Sequence, residues 1–84
     1  MTDITMKRAS TARDSVREQA QDWGWKLLTF AACDSFARRG TVIRTWWTTA
    51  DTMTVAARNV FRVADASPDE RAETIAEVRE WLAA

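Results

Sequence analysis

The sequence predicts an all-α protein, a small three-helix domain in which a long antiparallel helical hairpin is followed by a shorter C-terminal helix. Three observations predict it. Residues 41–64 carry apolar pairs at 42/43, 46/47, 56/57 and 60/61, a four-residue step that a strand of period two would scatter over both faces. Ala12, Val16, Ala20, Trp23, Leu27, Phe30 and Ala31 fall within about 100° of helical arc, the width of a core-facing stripe. Ser67-Pro68-Asp69-Glu70 combines an N-cap, a first-turn proline and a capping-box acid, the sequence form of a helix start.

Taken in order, residues 1–10 have no sustained period, which predicts a flexible N-terminus ahead of a single helical domain over residues 11–84. Helix one is expected over residues 11–39, with Thr11 as its cap and Asp14 as the reciprocal acid. Its second half is apolar almost all round, from Leu27 to Cys33 with Trp25, Phe36 and Ala37 beside it. A helix that is hydrophobic on every side is normally covered on every side. Two further helices of so short a chain cover only part of it, so a second copy or another protein is expected to cover the rest. Gly24 falls inside this helix at a cost of about 1 kcal/mol, and Asp34 is expected to pair with Arg38 four residues on. Arg38-Arg39-Gly40 has the form of a helix C-terminus, with two cations on the dipole and a glycine free to turn left-handed.

Helix two is expected over residues 41–64. The β-branched and aromatic run from Thr41 to Thr49 favours a strand, and the four-residue step of the apolar pairs is what argues for the helix. Helix three is expected over residues 68–83, with Ile75, Val78 and Leu82 as its apolar side and Asp69, Glu73, Glu77 and Glu80 as an acidic ridge.

Composition narrows the chemistry. Eighty-four residues, 46% hydrophobic and 29% charged with zero formal net charge, make one globular domain near the size at which a single core struggles to offset chain entropy. Residues 1–64 carry ten basic and six acidic groups and residues 65–84 two and six, so the two parts are expected to pack together. With no histidine there is no imidazole base, no Ser-His or Cys-His nucleophile and no His-containing zinc site. Cys33 is alone, so neither an internal disulfide nor a CxxC motif exists. No apolar run reaches the roughly 18 residues of a membrane span, and residues 1–13 are too polar for a signal peptide. The expectation is a cytoplasmic chain with no enzymatic activity, no cofactor, no metal and no membrane association.

What remains is binding. The leading expectation is a non-enzymatic protein-interaction module, a regulator, adaptor or inhibitor that occludes a protein partner, a class in which phage- and mobile-element-encoded chains are common. Its expected contacts are Trp25 and Phe36, as an apolar patch, and Glu73, Glu77 and Glu80, facing a basic partner. The alternative is a nucleic-acid-binding regulator that uses Arg38, Arg39, Arg44, Arg58 and Arg62 as a basic strip along helix two. Asp51 interrupts that strip, and its ordinary reading is a solvated face paired with helix three.

Overall fold

The computed structural model describes residues 11–60 and 70–84. Its centre is a sheet. Helix α1 (Ala12–Asp22) leads into strands β1 (Lys26–Thr29), β2 (Cys33–Arg38), β3 (Thr41–Thr49), β4 (Thr52–Val60) and β5 (Glu70–Ala72), and helix α2 (Ile75–Ala83) follows. The strands lie in sequence order, each antiparallel to its neighbour. Both helices pack on the same face of this meander. The expected all-α domain and its helical hairpin are thereby overturned: the segment expected as helix two is the β3–β4 hairpin, and the second half of expected helix one is β1 and β2.

The cause lies in the two faces of β3. Ile43, Thr45 and Trp47 are buried beneath the helices, while Val42, Arg44 and Trp46 point to the other side, as period-two alternation requires. Because both faces carry apolar residues, the strand presents doublets at 42/43 and 46/47, and β4 repeats the pattern at Ala56 and Ala57. Doublets four residues apart imitate a helix. The β-branched and aromatic content of residues 41–49 was the better guide. Near its far end the hairpin is irregular, with register shifts between Trp46 and Trp47 and between Trp47 and Thr49.

The punctuation also serves different structures. Arg39 (φ 49°) and Gly40 (φ 80°) are the two central residues of the tight turn joining β2 to β3. Positive φ at both is the type I′ geometry that matches strand twist, not a helix cap. Gly24 (φ 86°) reverses the chain just after α1 ends. The expected Ser67-Pro68 cap, Asp69 and the expected flexible residues 1–10 lie outside the described residues. Glu70–Ala72 is strand, and α2 begins at Ile75, capped by Thr74 in a capping box with Glu77.

At the start of α1, Thr11 caps as expected, its hydroxyl accepting from Asp14 N–H at 3.1 Å. The tip of the β3–β4 hairpin satisfies two more of the helix's free donors. Ala12 N–H donates to Asp51 Oδ1 at 2.8 Å and Arg13 N–H to the Ala50 carbonyl at 2.9 Å.

The core lies between the sheet and the helices, with Val16 and Ala20 from α1, Val78 and Leu82 from α2, and Trp25, Phe36, Ile43 and Trp47 from the sheet side. Asp34 is fully buried among them. Its partners are Arg13 and Arg17 on α1 rather than the expected Arg38. Arg13 donates to both carboxylate oxygens at 2.8 and 3.0 Å, and Arg17 does so at 3.0 and 3.1 Å. Arg13 also donates to the Phe30 and Ala31 carbonyls, which fastens the β1–β2 turn to the helix. Burial pushes the Asp34 carboxyl upward in pKa, yet the hydrogen bonds and charges of the two guanidinium groups outweigh it and hold the group below its ordinary value.

Candidate functional site

Nothing among the described residues covers the sheet face opposite the helices. Strand register arranges its side chains in three rows. The middle row crosses all five strands as Leu28, Ser35, Arg44, Ala57 and Arg71. On one side of it run Lys26, Ala37, Val42 and Asn59, and on the other Cys33, Trp46 and Val55. An antiparallel sheet with one solvated face normally alternates apolar-in with polar-out. Here the outward set is largely apolar: Leu28 is 64% exposed and Trp46 37% exposed. Cys33, Val42, Val55 and Ala57 are half-buried.

At the Trp46 end the face deepens into an open groove of about 630 Å³, lined by Ala32, Trp46, Trp47, Thr54, Val55, Ala56, Ala57 and Arg71. Its floor is low because Ala57 and Ala32 are small. Trp46, Val55 and Arg71 stand around it.

The charges divide by face. On the helix side, Arg13 and Arg17 hold Asp34, and Arg58 pairs with Glu70 at 2.7 Å beneath the Trp81 ring. Arg79 donates to Gln19 and Ser15, joining α2 to α1. On the open face and the β2–β3 turn, Lys26, Arg39, Arg44 and Arg71 make no hydrogen bond or ion pair with the described residues. No carboxylate lies in the three rows. Cys33 faces the same side, and desolvation, with the charge of Asp34, raises its thiol pKa, so it stays protonated and weakly nucleophilic at neutral pH.

The expected contact residues are dispersed. Trp25 is buried, its Nε1–H donating to the Leu82 carbonyl at 3.1 Å and its ring lying 4.3 Å from the Arg38 guanidinium. Phe36 is fully buried in the core. Neither is an exposed patch, because the segment expected to be apolar on every helical side is a hairpin whose apolar residues divide between the core and the open face. Glu77 accepts from Glu73 N–H, Thr74 N–H and the Thr74 hydroxyl, which lowers its pKa. Glu80 and Glu73 are exposed, and Glu73 precedes α2, so the acidic residues do not form one ridge on a single helix. Of the expected Arg strip, Arg38 donates to the Trp23 and Ala84 carbonyls and Arg58 is held by Glu70, so both are engaged on the helix side. Arg44 alone lies on the open face, Arg39 is in the turn, and Arg62 lies outside the described residues.

Comparison of the chain with protein-family models, with curated proteins and with solved structures found no match.

Among the described residues no group of three or more His, Cys, Asp or Glu side chains is placed to hold a metal ion, and no helix is long and apolar enough to cross a membrane. Arg71, Leu28 and Val55 were missed as contact residues at the sequence level. For Leu28 and Val55 the signal that could have found them is the outward half of each apolar run, once the runs are assigned to strands; Arg71 carries no such signal, because its place on the face is set by the pairing of β5 with β4.

Proposed function

We propose that this chain is a small, cytoplasmic, non-enzymatic protein-binding module that acts by seating a protein partner on its open sheet face. The observation that carries the reading is the composition of that face: exposed Leu28 and Trp46 among half-buried aliphatic residues, with cations that have no ion-pair partner among the described residues and no carboxylate in the three rows. A sheet face that exposes Leu and Trp side chains beside arginines offers both apolar and charge-assisted contacts to a partner, and Trp and Arg are among the side chains most enriched at binding hot spots. Its scarcity of aromatic rings favours protein over single-stranded nucleic acid, whose binding platforms rest on several stacked aromatic rings. Trp46 is the one aromatic ring in the three rows.

The test compares the tagged parent with a Leu28→Ser/Trp46→Ser variant in capture from nuclease-treated host lysate. Both side chains are outward, so far-UV circular dichroism is expected to be unchanged by the substitutions. A protein enriched by the parent and lost from the variant is the expected result. Equal recovery by both would remove the open face as the binding surface, and recovery that depends on nucleic acid would replace the reading.

A further inference from the structure

We infer that the groove above Ala57 is a carboxylate-binding cleft that takes an acidic peptide segment, with Arg71 and Arg44 holding an Asp, Glu or C-terminal carboxylate and Trp46 and Val55 receiving the neighbouring apolar side chain. The inference rests on the protein-binding reading of the open face and specifies its partner. Three observations support it.

The first is geometry. Arg44, Ala57 and Arg71 are direct cross-strand neighbours on β3, β4 and β5, so the two arginines stand two strand spacings apart, about 10 Å, on either side of a methyl group. Arg71 lines the groove and Arg44 flanks Ala57 from β3, so an anion above Ala57 is within side-chain reach of both, and each guanidinium is able to donate two parallel N–H bonds to a carboxylate. The second is charge. Neither arginine has a carboxylate partner among the described residues, whereas the cations of the helix face are all engaged. The partner must therefore bring the acid. A second copy applied face to face brings Arg44 and Arg71 again and no acid, so like charges would be juxtaposed.

The third is area. The three rows span four strand spacings by four residue steps, about 19 Å by about 13 Å, on the order of 250 Å². Such a footprint is matched by a few residues of extended chain, so the face suits a peptide segment.

The experiment is selection of a random dodecapeptide phage library on the immobilised full chain, in parallel with an Arg44→Ser/Arg71→Ser variant. These arginines hold no partner among the described residues, so the variant is expected to keep its circular dichroism spectrum and unfolding midpoint. Peptides enriched on the parent are expected to carry Asp or Glu beside a Leu, Phe or Trp. Their synthetic forms should bind about tenfold more weakly for each arginine removed, with affinity falling as salt rises. Enrichment of peptides lacking an acid, with equal binding to the variant, would overturn the cleft while leaving the open face as a peptide-binding surface. No enrichment, together with binding of a fluorescein-labelled dodecathymidylate that the variant loses, would overturn both. Reversible dimerisation abolished by Trp46→Ser would assign the face to a second copy and overturn the cleft.

Discussion

Asp34→Ala is expected to destabilise the fold by about 3–5 kcal/mol, measured by urea denaturation, because it leaves the Arg13 and Arg17 guanidinium groups without their shared counter-charge in a largely buried site. Their side chains retain only 13% and 25% exposure, so water replaces the carboxylate poorly. Against the 5–15 kcal/mol typical of a domain, this approaches loss of the folded state. Asp34→Asn keeps the shape and removes the charge. It should therefore recover little of the loss, since one amide oxygen cannot accept the four N–H bonds that the two carboxylate oxygens accept here.

The same cluster sets the pH response. The folded Asp34 pKa is lowered relative to the unfolded chain, so its contribution is fully present above the unfolded value of about 4 and is lost as pH falls through the folded value. With no histidine in the chain, stability is expected to be nearly flat between pH 5 and 8 and to fall below about pH 4. Urea midpoints measured across pH 2 to 8 check this. A midpoint that changes steeply near pH 6 would contradict it.

Phe36→Ala is the second large effect, expected to cost about 3–5 kcal/mol by the same measurement. Phe36 lies fully buried on β2, opposite Leu27 of β1 and Ile43 of β3, where the paired backbone on both sides restricts collapse of the cavity. Phe36→Leu keeps most of the volume and should cost less than about 1.5 kcal/mol. A Phe36→Ala variant with the parent's unfolding midpoint would place the ring outside the core.

Local rules located the beginning of α1 correctly. Thr11 caps it because its hydroxyl needs only the next turn, and that is readable from a few residues. Thr74 and Glu77 hold an equally local signal, but Ser67-Pro68 offered a stronger-looking one seven residues earlier and drew the expected helix back across a strand. The larger error had a single physical source. In β2, β3 and β4 the outward residues Ala37, Val42, Trp46, Val55 and Ala57 are apolar, so no clean alternation marks the strands. Arg39-Gly40, Ala50-Asp51 and Gly24 then separate strands or end a helix with residues equally suited to helix caps. The pairing of Asp34 was hidden for a different reason. Its partners are 21 and 17 residues away, and only the packing of α1 across β2 brings them together. The candidate site and the misleading pattern are thus the same feature, an apolar outward face, which obscures the fold in sequence and becomes visible once the sheet is assembled.

The attachment of α1 to the β3–β4 tip has a consequence for the order in which the chain folds. Strands β1 to β3 each close on the next through a short loop, which costs little entropy, whereas Ala12 must reach Asp51 across 39 residues and Ser15 must reach Arg79 across 64. The β3–β4 hairpin can form without α1, but α1 has no tip to cap it until the hairpin exists. Amide protons of Ile43 to Thr45 are therefore expected to gain protection before those of Ala12 and Arg13 in pulse-labelled hydrogen exchange during refolding. Simultaneous protection would mean that helix and hairpin condense as one unit. On this order the hairpin is the template on which α1 is laid, so the first described element in sequence acquires its structure after a later one.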